Sequence, residues 1–321
     1  GNATTRNSII EGTGDRIGGI AGYHNSLFNV HVYDSKIYGT GSKSNYVGGI
    51  GGYGQSRVIY GLVEDCDIST SRSYVGGING YGGAYESAVI NTNIEGYSEV
   101  GGISGRIDSN LAVIQNTYVN AEINGIAHSV GGIVGYINNA YDSDAQSSAV
   151  RLSGVYNSSI SGKTNVGGLI GRTDTDVSTT QYYGNYVHAT VSGDKSTSSL
   201  GIGANPNYNL SIINLYIYKY SDINGENPNE QNELFIPTNN YLNTEELRDT
   251  TTYTSKLGWA KGIWDFSVLT NNQYPIFTSI GEQQAVLLPA DEEISSTELQ
   301  AHNLNEELEQ TFEYANKEIE T

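Results

Sequence analysis

Six closely related strings decide the fold: IGGIAGY at 17–23, VGGIGGY at 47–53, VGGINGY at 75–81, VGGISGR at 100–106, VGGIVGY at 130–136 and VGGLIGR at 166–172. A decayed copy, LGIGAN, begins at Leu200. Successive starts lie 30, 28, 25, 30, 36 and 34 residues apart. These copies hold 21 of the 40 glycines, so the glycine is periodic rather than a mark of low complexity. Val47 and Ile50 are three apart, and an unbroken strand would point them to opposite faces. Both positions are apolar in every full copy, which places both inside and asks Gly48 and Gly49 for a bend or bulge. The same reasoning covers Gly76 and Gly77, and Gly131 and Gly132. The third glycine of the string, Gly52 in this copy, marks a close backbone approach. The last residue of each copy (Tyr23, Tyr53, Tyr81, Arg106, Tyr136, Arg172) forms a ladder if the copies stack.

A second element precedes each string and reads small–x–Ile/Val–x–Gly: Ser8/Ile10/Gly12, Ser35/Ile37/Gly39, Thr92/Ile94/Gly96, Ala121/Ile123/Gly125, Ser158/Ile160/Gly162, Ala189/Val191/Gly193 and Ser221/Ile223/Gly225. In one copy Cys66/Ile68 is followed by Thr70. Two-residue alternation puts these side chains on one buried face, with a narrow slot for the small residue. Tyr33, Ile90, Val119, Tyr156 and Val187, two positions earlier, extend that face under the same rule. Cys66 is then an inert core thiol, since an apolar site raises its pKa.

A unit of about 30 residues cannot bury its own apolar face, whereas stacked units pair each strand with its equivalent above and below. The expectation is an all-β chain: a parallel, right-handed β-helix of seven to eight coils over residues 1–232, with an antiparallel sandwich or a propeller as the alternative. Residues 1–16 already carry the end of one repeat, so the chain is expected to start inside a longer solenoid. Residues 233–289 read as an aromatic α+β cap on the last open coil. Asn243 or Thr244 opens a helix, a strand–turn–strand follows, and both tryptophans, Trp259 and Trp264, fall here with Phe266, Tyr274 and Phe277. Residues 290–321 carry ten acidic residues and one Lys, with Leu304, Leu308, Phe312, Ala315 and Ile319 at helical spacing. They read as an acidic amphipathic helix or linker.

Charge narrows the function. The 321 residues hold 16 Lys+Arg against 35 Asp+Glu, a formal net charge of −19, which disfavours nucleic acid and anionic membrane as partners. No run reaches the roughly 20 apolar residues of a membrane span. One Cys excludes an intrachain disulfide framework and a Cys-cluster zinc site. His24, His31, His128, His188 and His302 lie in no H-E-x-x-H frame, and no nucleophile elbow or phosphate loop occurs, so no catalytic or cofactor-binding residue is assigned. Asp142 and Asp144, with Asp174 and Asp176, fall in the two longest repeat units and offer oxygen ligands of the kind Ca²⁺ takes, against the plain alternative of solvated loops. A paired-carboxylate lyase or hydrolase remains a third reading, without a pair the sequence picks out. Tyr at a fixed repeat position favours packing over a ligand platform.

VGGIVGY, VGGINGY and VGGLIGR resemble the GLUG motif, a bacterial repeat of surface and secreted proteins. The stretch TEELRDTTTYTSKLGWAKGIWDFSVLTNNQYPIF resembles the segment that closes such arrays in immunoglobulin A1-specific zinc metalloendopeptidases of Gram-positive bacteria. Together the resemblance spans about residues 7–280. It implies a secreted or wall-attached protein, a host glycoprotein partner such as immunoglobulin A1, and a zinc-bearing H-E-x-x-H domain in cis, C-terminal to the repeats. No catalytic residue of that domain maps onto these 321 positions. The chain is then expected to be the non-catalytic solenoid region of such a protease, serving as spacer or substrate-recognition arm; an adhesin or structural stalk with no attached enzyme is the alternative.

Overall fold

The computed structural model describes residues 2–108, 113–138, 150–174, 181–204, 211–225 and 240–290. All but one of its strand pairings, Trp264–Asp265 with Ile276–Phe277, are parallel, which excludes the antiparallel sandwich. Each turn carries the Val-Gly strand in a seven-stranded sheet, and its remaining strands in a 19-stranded sheet that wraps the other sides. The seven rungs of this sheet run from Arg16–Gly18 to Ser198–Ser199 and therefore close six full turns, one or two fewer than the seven to eight coils expected. The repeat count includes the incomplete coils at either end.

Repetition builds the inner core. Val47, Ile50, Val75, Ile78, Val130 and Ile133 are all fully buried, so both apolar positions of the string face inward as expected. The reason for the double glycine differs from the expectation. None of the six has a positive φ. A Cβ on Gly48, Gly76 or Gly131 would meet a backbone oxygen of its own coil at 2.1, 2.0 or 2.1 Å. On Gly49, Gly77 or Gly132 it would meet the next coil's backbone oxygen at 2.1–2.2 Å. Close approach of backbone, rather than an unusual dihedral, demands glycine here. Gly52 is likewise pressed against Ile17 N and Gly22 O.

The slot residues stack in register. Ile37, Ile68, Ile94, Ile123, Ile160 and Val191 are fully buried, and Ser35, Cys66, Thr92, Ala121, Ser158 and Ala189 lie beside them. Hydroxyls are tolerated because backbone satisfies them. Ser35 Oγ donates to Tyr33 O and accepts from Ser8 N of the neighbouring coil, and Ser158 Oγ accepts from Ala121 N.

One expectation fails at the corner before the slot. Val119 and Val187 do face inward, but Tyr33, Ile90 and Tyr156 face outward. The coils of Tyr33, Ile90 and Tyr156 carry an extra residue, Asp34, Asn91 or Asn157, with φ of 46, 48 and 44°. That left-handed residue turns the preceding side chain out, and the ladder shifts register there. Asp and Asn visit this conformation more readily than most residues. A second corner is built the same way from Asn29, Tyr60, Glu86, Asn116, Leu152 and Gly184, one per coil. For Tyr60, Glu86 and Leu152 the strain is on the order of 1–3 kcal/mol each.

The C-terminal aromatic segment forms a second core. It begins as a last rung, Tyr241–Leu242 pairing with Ile217–Tyr218. A short helix, Thr244–Arg248, follows, with a capping box between Asn243 and Glu246. The chain then returns along the outside of the coils instead of only covering the open end. Trp259, Trp264, Tyr274 and Phe277 are buried against Tyr118, Tyr156 and Tyr186, which project from three successive coils. Gln284 reaches back to Glu64 and Asp65, 220 residues away in sequence for the Glu64 contact. The physical reason is an outward apolar row, in which Leu62, Ala88, Tyr118 and Tyr186 alternate with the inward Val63, Val89, Val119 and Val187, and to which the corners add Ile90 and Tyr156. Gly1–Leu288 form one compact unit and Pro289–Thr321 another. The stripe Leu304–Ile319 lies outside the described residues.

Candidate functional site

Three surfaces carry chemistry. The first is the ladder at the end of each Gly-rich string. Tyr23, Tyr53, Tyr81, Arg106, Tyr136 and Arg172 are in direct register, as the sequence predicts. Tyr53 stacks on Tyr81 at 4.4 Å and on Tyr23 at 5.9 Å. Arg106 and Arg172 lie over Tyr136 at 4.9 and 5.4 Å. Tyr53 and Tyr136 thus have neighbours on both sides, and this ladder is packing rather than a set of open platforms. Carboxylates complete it. Arg106 Nε donates to Asp108 at 2.8 Å and its Nη1 to Glu99 at 3.4 Å. Burial pushes the Glu99 carboxyl up to about 7 against the opposing pull of Arg106. Arg172 grips Asp174 through two bonds of 2.9 Å, and Tyr136 Oη donates to it at 2.6 Å. Burial alone would raise the Asp174 pKa, but these bonds outweigh it and hold it below the usual carboxylate range. Asp142, Asp144 and Asp176 lie outside the described residues. A Ca²⁺ site using Asp174 has to compete with Arg172 for both oxygens.

The second surface is the seam under the aromatic clamp. Trp259 Nε1 donates to Gly184 O at 2.8 Å, and Trp259 stacks on Trp264 at 4.1 Å. Tyr186 Oη sits 3.0 Å from Tyr274 Oη, which sits 2.9 Å from His188 Nδ1. The consistent assignment runs Tyr186 to Tyr274 to His188, with the imidazole neutral and accepting at Nδ1. Burial pushes the His188 pKa down to about 4, which fits that role.

The third surface is the outer face of the strands that hold the slot residues. Tyr38, Ser69, Glu95, Asn124 and Ser161 form one outward row in register, and Lys36, Asp67, Asn93, Glu122 and Ser159 form the next. Lys36 pairs with Asp67 at 3.2 Å, and Asn124 donates to Glu122 at 3.1 Å. Two grooves border this face, one of about 470 Å³ at the Asp65–Asn157 corner and one of about 750 Å³ along the Tyr38 row. Sequence reasoning missed this face, because outward positions of the repeat vary in type and leave no motif.

Cys66 occupies the slot, 3% exposed, with Sγ directed at Glu64 O at 3.2 Å. Burial pushes its thiol up to about 11. The histidines are dispersed: His24 is buried against Asn79, His31 lies by Tyr33, His128 by Ser129 and His188 by Tyr274. His302 lies outside the described residues. Among the described residues no three His, Cys, Asp or Glu side chains converge as metal ligands.

Fold and surfaces together define a parallel β-solenoid with a non-repeating aromatic clamp along its flank. A crystal structure from Bacteroides ovatus, named "putative immunoglobulin A1 protease", has a similar fold: TM-score 0.60 over 78% of this chain and 75% of that one, at 20% identity. No protein-family model matches the sequence, and no curated protein matches it. The likeness to the GLUG repeat therefore rests on the strings themselves.

Proposed function

We propose that this chain is a non-catalytic recognition arm of a secreted or wall-attached bacterial protein related to immunoglobulin A1 proteases. The observation that carries the reading is the register of the outer rows. The coil stack holds equivalent side chains in straight lines on a stiff rod, the arrangement expected of a surface that grips an extended partner. The fold likeness to the Bacteroides ovatus structure supports the protease relation. Zinc chemistry would belong to an H-E-x-x-H domain elsewhere in the parent protein, and a host glycoprotein would be the partner. These 321 residues are expected to cleave nothing alone, since a hydrolytic zinc site needs three protein ligands and one open position in tight geometry.

The test compares the parent protein with a form lacking the solenoid. Binding and cleavage of an intact glycoprotein should weaken much more than cleavage of a short peptide. Unchanged handling of the intact substrate would favour the stalk reading. Zinc-dependent, chelator-sensitive proteolysis by residues 1–321 would overturn the non-catalytic assignment. Millimolar Ca²⁺ tests the Asp174 loop separately, and an unchanged melting temperature would leave Asp174 to Arg172 and Tyr136.

A further inference from the structure

We infer that the groove along the Tyr38 row binds a neutral oligosaccharide lying across the coils. This deepens the recognition reading and rests on it. The floor consists of Tyr38, Ser69, Glu95, Asn124 and Ser161, which are direct register partners on five successive coils. Parallel rungs repeat at about 4.8 Å, so this row places a polar side chain at each step over about 19 Å, with Ser161 Oγ donating to Asn124 Oδ1 at its far end. A pyranose chain is itself periodic, with hydroxyls at each ring and an advance per ring close to one rung. The groove is open to solvent and has a volume of about 750 Å³, within the usual range of ligand sites. Its chemistry is that of a sugar site: hydroxyl, carboxamide and one carboxylate on the floor, the Tyr38 ring at one end, and Ile126, 71% exposed, at the rim. No Lys or Arg lines it, and the chain carries a net charge of −19, so an anionic polysaccharide or nucleic acid is disfavoured. The Tyr/Arg ladder on the Gly-rich strings does not compete for this role, because Tyr53 and Tyr136 are sandwiched by their neighbours.

The test is calorimetric titration of residues 1–321 with soluble neutral oligosaccharides of increasing length and with their sialylated forms. Affinity should rise with length until the five-rung floor is filled, and the sialylated forms should bind more weakly. Tyr38→Ala and Asn124→Ala should each weaken binding at least about tenfold. Ser69→Tyr, which fills the floor, should abolish it, and Lys261→Ala, exposed on the clamp, should not change it. Melting curves confirm that each variant folds. If no oligosaccharide binds, or if Ser69→Tyr binds as well as the parent chain, the inference is wrong. Binding to an enzymatically deglycosylated glycoprotein then separates the two claims. Retained binding would leave the recognition reading standing without the glycan groove, and lost binding with no sugar affinity would remove both.

Discussion

The inner core and the clamp seam bury apolar side chains by opposite means. The inner core joins residues about one coil apart, as Ile94 to Ile68 and Ile123, and every coil repeats the arrangement. The seam joins residues as distant as Glu64 and Gln284, 220 apart, and its clamp side does not repeat. Repetition makes the first core additive, with each coil bound only to its neighbours. The clamp crosses several coils at once from outside the stack. Removing part of the inner core should therefore damage the stack, and removing the clamp should loosen the flank while leaving the stack in place.

The largest effect should come from the glycines of the repeat. Gly132→Val puts side-chain carbon where Gly168 O lies 2.1 Å from an ideal Cβ, and backbone cannot yield cheaply. Loss of cooperative folding in circular dichroism is expected, and a native-like melt would refute the close-packing account of the double glycine. Ile123→Ala, at a fully buried rung, should cost about 2–5 kcal/mol in urea unfolding.

Next comes pH, which should act on the seam and on the Tyr/Arg ladder with opposite sign. His188 has a folded pKa near 4, below its ordinary 6.5. Between these values the unfolded state binds the proton more readily, so stability at the seam falls as pH drops from 6.5 to 4, by about 1.4 kcal/mol per pH unit at most. Glu99 has a folded pKa near 7, above its ordinary 4.5. There the folded state holds the proton more tightly, so the ladder loses stability as pH rises from 4.5 to 7. Tyr and Trp fluorescence at the clamp should report weakening in acid, and His188→Gln should flatten that response. A seam insensitive to pH between 6.5 and 4 would contradict the buried neutral imidazole.

Cys66→Ser should have the smallest effect, about 1–2 kcal/mol, because the hydroxyl can donate to Glu64 O as Ser35 does to Tyr33 O. Native Cys66 should react with thiol reagents only as fast as the chain opens. Rapid labelling in native buffer would show that the slot is not internal.

What the sequence revealed follows the same division. Val47, Ile50, the slot row and the Tyr23–Arg172 ladder were legible because each coil restates them, and stacking turns repetition into contact. Tyr156 was misplaced because alternation assumes an unbroken strand, and Asn157 breaks it with a single left-handed residue. The clamp's position was illegible for a different reason. Its docking row reads Leu62, Ala88, Tyr118, Gly154, Tyr186 along the coils, a mixture with no motif. Gly154 belongs there because the ring of Tyr156 occupies its Cβ position. The groove row from Tyr38 to Ser161 escaped notice likewise, since register and not residue type unites it.

The central claim is that a repeat-built stack carries a separable clamp. Hydrogen exchange on the Trp259→Ala/Trp264→Ala double variant tests it most directly. The account predicts faster exchange across residues 240–288, with the amides of the Val47, Val75, Val100 and Val130 rungs still protected. Equal loss of protection in those rungs would show that the clamp and the stack are one core.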